Sequence, residues 1–366
     1  MGIFLDVLFV IFIFSILIQC FFGFLFVRLS FYKNKNSEFS KGVSVIICAK
    51  NEDENLAKNL ISILEQDYPD YEVIVVNDQS IDGTKYILQD LQKKYSHLEV
   101  VTIEDHVNSR LGKKFPLTMG IKTSKFDYIL LTDADCYVNS KYWIKHMCSE
   151  FEQKDIVLGL SIFHKDNSIL NRLIRFDDFQ VSLQYLSFAL AGIPYMGVGR
   201  NLSYKKSLFF KVKGFASHIH LPSGDDDLFI KEIATKNNVS IRINDKSIVT
   251  SIAKDSFFSW IYQKRRHLST VHLYSLKHKI LLFLWPLSQF LFWLTSILLL
   301  LLGYNIIILS LFSFRIVFYY FLYFKSMRKL KAFDLYFIYP LLELLYILIQ
   351  LFFVLLNPSY KLNRWK

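Results

Sequence analysis

Four apolar stretches, one at the start of the chain and three beyond residue 278, enclose a polar middle, and this layout rules out most soluble architectures. Residues 3–27, IFLDVLFVIFIFSILIQCFFGFLFV, form a nearly unbroken apolar run, and a bilayer crossing needs about 20 such residues. A cleaved signal peptide would show a basic start, a shorter apolar core and a small-residue cleavage site, and none is present. Arg28, Lys33, Lys35 and Lys41 follow the run, which puts its C-terminal end in the cytoplasm. Residues 280–302, 305–324 and 333–356 are each long enough to span again, with GYN (303–305) as a tight turn and KSMRKLK (325–331) as a basic cytoplasmic loop. Pro340 and Glu343 interrupt the last segment, and the basic tail KLNRWK would lie outside after four crossings. A spanning and a re-entrant course are both open there.

The expected layout is a membrane helix over 1–28, a cytoplasmic domain over 42–275, about three membrane helices over 279–356 and a basic tail over 357–366. The protein is then integral to the cytoplasmic (inner) membrane, with its domain facing the cytoplasm. Composition agrees: 52% of residues are hydrophobic, 35 are Phe and only 20% are charged, which suits lipid contact better than water. The net charge of +11 suits an anionic lipid surface or an anionic substrate. Because the basic residues flank the apolar bands and no nucleic-acid-binding motif is present, nucleic acid is not expected as a partner. Cys20, Cys48, Cys136 and Cys148 show neither CxxC spacing nor a zinc pattern, in keeping with a reducing compartment.

Between the apolar bands the pattern is that of an α/β domain. VSVIICA (43–49), YEVIVVND (71–78), LEVVTIE (98–104) and FDYILLTDAD (126–135) read as strands, with helices over about 53–66 and 81–95. Short apolar runs alternating with amphipathic helices predict a mostly parallel sheet covered on both faces. Ligands of such sheets bind beyond the carboxyl ends of the strands. Asn51 and Glu52, then Asp78, then Asp133 and Asp135 all fall there. Any one of these alone reads as a helix cap or solvated turn; their recurrence at one sheet edge points to a site. Asp133-Ala134-Asp135 offers two hard carboxylates to Mg2+ or Mn2+, leaving room for phosphate oxygens and water. Neither GxGxxG nor GxxxxGK[ST] follows the first strand, which argues against a dehydrogenase or a P-loop enzyme.

VSVIICAKNE, VIVVNDQSIDGT and DYILLTDADC, in this order and at these spacings, resemble the family-2 glycosyltransferases with a GT-A fold, over roughly residues 42–270. The flanking apolar segments resemble the family's membrane-bound branch. The resemblance implies a GT-A (nucleotide-diphospho-sugar transferase) Rossmann-like domain with N- and C-terminal transmembrane helices. It also implies an inverting, metal-dependent transfer from a nucleoside-diphosphate sugar, UDP-linked by preference, to a membrane-associated acceptor. That acceptor is a lipid-linked glycan, a glycolipid or a surface polysaccharide.

By the same resemblance, Ala49, Asn51 and Glu52 line the nucleotide pocket, Asp78 accepts a hydrogen bond from the base, and Asp133 with Asp135 holds the metal. Asp82 shapes the loop or, with Gly83, is plain turn chemistry. Lys113 and Lys114 in GKKFPLTMGI stand near the diphosphate, Lys114 being equally readable as a solvated helix start. SGDDDLF (223–229) resembles the acidic motif that supplies the base. Asp226 is favoured over Asp225 and Asp227, although three consecutive Asp leave the register open by one. QKRRH (263–267) resembles the Gln-x-x-Arg-Trp signature: Gln263 orients substrate and Arg266 pairs with the leaving diphosphate. His267 stands where processive synthases carry Trp, which favours transfer of single sugars. GVGRNLSY resembles the acceptor segment, with Gly199, Arg200, Asn201 and His267 as its candidates. The stretch from 171 is aromatic and amphipathic enough to lie on a membrane, as is WIYQKRRHLSTVHLYSLKHK. Competing readings are a non-catalytic nucleotide-sugar-binding membrane protein, a processive synthase, and a channel or transporter.

Overall fold

Every residue of VSVIICA is buried, as are seven of the eight in YEVIVVND. Strands covered on both faces need no polar alternation, hence the continuous apolar runs. The computed structural model describes residues 2–35, 37–104, 112–303 and 306–355; the expected tail KLNRWK and most of the GYN turn lie outside them. A long helix α1 (Gly2–Phe31) leads into β1 (Val43–Ala49), α2 (Asp53–Leu64), β2 (Tyr71–Asp78), α3 (Thr84–Lys94) and β3 (Leu98–Ile103). Then come α4 (Lys114–Thr123), β4 (Tyr128–Asp133), β5 (Cys136–Val138), α5 (Trp143–Cys148), β6 (Ile156–Gly159) and β7 (Ser161–Phe163). The second half holds α6 (Ile169–Leu190), β8 (Leu202–Lys205), α7 (Lys206–Lys211), α8 (Asp227–Ile233), β9 (Val239–Arg242), β10 (Val249–Ser251) and α9 (Phe257–Leu268). Three helices close the chain: α10 (Leu276–Leu301), α11 (Ile306–Lys329) and α12 (Tyr339–Leu355).

Seven strands form the main sheet in the order β3-β2-β1-β4-β8-β6-β9, and β5-β10-β7 form a second. Strands β3, β2, β1 and β4 are mutually parallel, and β8 runs against both of its neighbours. Side chains that alternate along a strand fall into separate cores. Val43, Val45, Ile47 and Ala49 meet α2, α3 and α5, whereas Ile46 and Cys48 meet α4, α6 and α8. The second core does not stop at the domain: it runs on through Phe22, Phe26, Tyr319, Tyr323 and Tyr339 of the long apolar helices. The globular domain and the helix bundle therefore share one hydrophobic core.

Among the described residues, four helices are long and apolar enough to cross a membrane: Ile3–Phe31, Leu276–Leu301, Ile306–Lys329 and Phe333–Phe352. The two features that complicated the last of them have physical resolutions. Pro340 falls in the first turn of α12, where no helical N–H bond is lost. Glu343, fully buried, forms a bidentate pair with Arg315 of α11 at 2.6 and 2.7 Å. Gln289 of α10 donates to Glu343 at 2.6 Å, and Gln19 of α1 accepts from Arg315 Nε at 2.6 Å. All four helices thus meet at one buried polar cluster.

Two expectations are revised. KSMRKLK is not a loop throughout, because α11 continues to Lys329, whose ammonium caps the C-terminal carbonyls of α1 at Leu29 and Tyr32. The aromatic helix α6 does not lie on a surface: Phe176, Phe179, Leu183, Leu186 and Phe188 are all buried. Polar residues of the same helix, Arg175, Asp177 and Gln180 among them, are buried with these apolar ones.

Candidate active site

The turns after β1 and β2 are bound to each other. Asn51 takes the left-handed conformation (φ 54°), which Asn tolerates better than most residues. Its N–H donates to Ser80 Oγ and its Oδ1 accepts from Ile81 N–H, each at 2.9 Å. Glu52 N–H donates to Thr84 Oγ1 at 2.9 Å. Asp53 N–H donates to Asp82 Oδ2, and Gly83 N–H donates to Asp53 Oδ2, both at 3.2 Å. Asp82 therefore shapes the loop, and the lattice carries Glu52 to the mouth of a cleft beyond the strand ends.

This cleft has a volume of about 660 Å³. Its floor is the end of β4, where Asp133 and Asp135 enter beside Lys113. The Lys113 ammonium bonds Asp133 Oδ1. Burial raises the cost of charge on both, yet their pairing holds Asp133 below and Lys113 above their ordinary pKa values. Asp135 is pushed the other way, upward, by burial and by the charge of Asp133. Two neighbouring carboxylates, one of them paired with an ammonium, are a donor set suited to a hard divalent cation. Among the described residues no set of three His, Cys, Asp or Glu side chains stands ready to hold a metal, so further oxygens would come from substrate and water.

The loop Ser223–Asp227 forms the opposite wall, and here the three consecutive Asp separate by environment. Asp227 is turned inward: Oδ2 accepts from Thr270 Oγ1 and from Tyr274 OH at 2.7 Å, while Oδ1 accepts from Leu228 N–H. Asp225 and Asp226 face the cleft. Asp226 caps α8 through Asp227 N–H at 2.7 Å and also accepts from Gly199 N–H at 2.9 Å. Burial first, then the charges of Asp225 and Asp227, raise its pKa to about 7.

Helix α9 supplies the third wall. Ser256 caps its N-terminus by accepting from Ser259 N–H at 3.2 Å. Gln263, Arg266 and His267 then line the cleft. Desolvation at the cleft wall, then the charges of Arg266 and Lys264, lower the pKa of His267, although the residue keeps an exposed face. Arg200 comes from the turn before β8. It donates to Asp178 Oδ1 of α6 at 2.9 Å and lies 4.3 Å over the Phe163 ring.

Eleven of the residues expected from sequence therefore share one cleft: Glu52, Lys113, Asp133, Asp135, Gly199, Arg200, Asp225, Asp226, Gln263, Arg266 and His267. Others stand back from its walls. Ala49 and Asp78 are buried at the ends of β1 and β2, and Asn51 serves the loop lattice. Lys114 is fully buried, donating to the carbonyls of His218 and Leu221, and burial lowers its amine to about 8. Asn201, expected at the acceptor, is also fully buried; its amide is consumed by Trp143 Nε1, Leu160 O and Ser247 O. The sequence reading missed Phe258, Tyr262, Lys254 and Asp255 on the rim. The Phe257-Phe258 pair opening an otherwise polar helix face was the available signal.

Gly112 joins two walls. It sits at φ +72°, and a Cβ there would lie 2.5 Å from the Pro222 carbonyl oxygen. Left-handed strain of about 1–2 kcal/mol adds to a backbone clash that displaces Lys113 or the acidic loop. Gly112→Ala is expected to raise the donor KM at least fivefold, as steady-state kinetics would show; an unchanged KM would mean that this contact does not position the loop.

Residues 44–213 match the family model described as Glycosyl transferase family 2. This segment is a family-2 glycosyltransferase domain. Its GT-A fold is shared with the mannosyltransferase PcManGT from Pyrobaculum calidifontis, solved in complex with GDP-Man and Mn2+, at a TM-score of 0.61 and 15% identity. That likeness covers 94% of this chain and 99% of the other, the apolar helices included. In sequence, the chain is 38% identical over 120 residues to a poly(ribitol-phosphate) beta-glucosyltransferase of Bacillus spizizenii, covering 32% of this chain and 18% of that protein. It is 34% identical over 99 residues to a poly-beta-1,6-N-acetyl-D-glucosamine synthase of Staphylococcus epidermidis, covering 27% and 23%. The matched stretch is thus less than a quarter of the length of either relative. The family match ends before Asp225, Asp226, Gln263 and Arg266, which the fold brings to the same cleft.

Proposed function

We propose that the protein is an inverting glycosyltransferase that moves one sugar at a time from a nucleoside-diphosphate sugar, a UDP-sugar by preference, onto a membrane-associated acceptor. The observation that carries this reading is the single cleft in which a raised carboxyl, Asp226, faces Asp133, Asp135, Lys113 and Arg266. The nucleotide end is assigned to Glu52 at the cleft mouth. Lys113 and Arg266 stand where the diphosphate would accumulate charge as it departs. A divalent cation between Asp133 and Asp135 would neutralise the same charge.

In the transfer, the acceptor hydroxyl attacks the anomeric carbon as the bond to the diphosphate oxygen breaks, and Asp226 takes the hydroxyl proton. One displacement inverts the configuration. Gly199 N–H holds Asp226 in place, and Arg200 flanks the approach. His267 offers neither the broad stacking face of Trp nor a charge, in keeping with single-sugar transfer. Exposed Ile252, Phe258 and Tyr262 at the cleft mouth, and a core continuous with the apolar helices, support a lipid-linked acceptor at a cytoplasmic membrane surface.

The test is incorporation of labelled sugar, from a panel of UDP- and GDP-sugars, into solvent-extractable lipid by membranes containing the protein. Label in lipid from one donor supports the reading; donor binding without transfer to any fraction points instead to a non-catalytic binding protein. The pH dependence follows from Asp226. A base works only when ionised, and its carboxyl is raised to about 7. Activity should therefore rise about tenfold per pH unit below 7 and level off above it. A rate flat between pH 5 and 8 would remove Asp226 from that role.

A further inference from the structure

Helix α9 carries Gln263 and Arg266 into the cleft, yet its cleft-facing half meets water and the rim. Lys264 ties it to the interior: its Nζ donates to Asp177 Oδ1 of α6 at 2.7 Å. This pair is largely withdrawn from solvent, with Lys264 at 18% and Asp177 at 8% exposure. The same oxygen accepts from Tyr346 OH of the apolar helix α12 at 2.9 Å. The next residue, Asp178, holds Arg200. Other contacts fasten α6 to the bundle: Arg175 makes a bidentate pair with Asp334 at 2.6 and 2.7 Å, and Gln180 donates to Tyr323 OH of α11 at 3.2 Å.

We propose that Asp177 is a positioning residue for the transfer reaction: through Lys264 it sets where α9 presents Gln263 and Arg266, and it takes its own position from Tyr346 of the membrane helix α12. The inference rests on the glycosyltransferase reading above. Its physical basis is that the pair is shielded, so the charge-assisted bond is strong, and that it joins α9 directly to α6 between Gln263 and Arg266 in sequence. Loss of the pair lets α9 shift against α6, and a shift of about 1 Å at a reacting group costs up to 100-fold in rate. Arg266 acts on charge that develops as the diphosphate leaves, so the loss falls on kcat rather than on donor KM. The arrangement also explains why the domain shares its core with the bundle: the membrane helices complete the site rather than merely tether it.

The test uses the full-length protein in detergent or nanodiscs, with nucleoside diphosphate release as the rate. Asp177→Ala should lower kcat at least tenfold while donor KM stays within twofold. Lys264→Met should do the same, and the double variant should be no worse than either single one within twofold, because both remove one link. Tyr346→Phe, remote from the cleft, should lower kcat at least threefold. If Asp177→Ala does not fold, Lys264→Met and Tyr346→Phe carry the test. Wild-type kcat in those two, or losses that multiply in the double variant, would overturn the proposal. An active wild type with indifferent variants defeats only this inference; a wild type that releases nothing from any donor defeats the enzymatic reading itself.

Discussion

Asp226→Asn is expected to lower sugar transfer at least 100-fold while leaving donor affinity within threefold. General bases contribute roughly 10²–10⁴-fold, and the amide keeps the size of the carboxyl and an oxygen for the Gly199 N–H. Asp226 is also the one member of the acidic triplet whose surroundings suit the task. Asp227 is committed to Thr270 and Tyr274, so Asp227→Asn should show itself first as a lower melting temperature. Asp225 faces the cleft beside Lys113, and its loss should raise donor KM more than it lowers kcat. Steady-state kinetics with both substrates varied, together with calorimetric donor binding, separates the three. Retained turnover in Asp226→Asn with loss in Asp225→Asn would move the base by one residue.

Glu343→Leu is expected to destabilise the helix bundle by about 3–5 kcal/mol, the usual cost of removing one partner of a buried pair. Arg315 is 1% exposed, and its guanidinium makes two bonds to Glu343 and one to Gln19. The substitution leaves Arg315 charged in an apolar interior with Gln19 alone to receive it. The double variant Arg315→Met/Glu343→Leu should recover most of the loss, because matched apolar groups need no partner. Thermal unfolding in detergent, followed by loss of monodisperse protein, would show the contrast. A double variant as unstable as Glu343→Leu would mean that the four helices depend on the polar cluster itself for their register.

How much of this was legible in the sequence depended on range. The strands VSVIICA and YEVIVVND were readable with their correct ends because burial on both faces leaves a continuous apolar run. The carboxylates at the strand ends were readable because a parallel sheet gathers its ligand groups at one edge. Asn201 was misjudged: GVGRNLSY looks like one polar segment, but a 3₁₀ turn over Gly199–Asn201 sends Arg200 to the cleft and Asn201 into the core. That Asp227 turns inward, away from the cleft, depends on Thr270 and Tyr274, more than 40 residues on. Glu343 looked like a defect in a membrane span until Arg315 supplied its counter-charge. The role of Asp177 could not be seen at all, since it depends on helices α6, α9 and α12 meeting. Local pattern thus reports which groups a chain contains and which edge they reach, whereas pairing across the fold decides which of them are free to react.

The most direct test is release of nucleoside diphosphate from nucleotide sugars by the purified full-length protein, with and without Mn2+, compared with Asp135→Ala. The account predicts cation-dependent release from one donor, lost in Asp135→Ala while the variant keeps the wild-type melting temperature. Equal release by wild type and variant would contradict the assignment of the cleft; no release and no calorimetric binding of any donor would contradict the glycosyltransferase reading altogether.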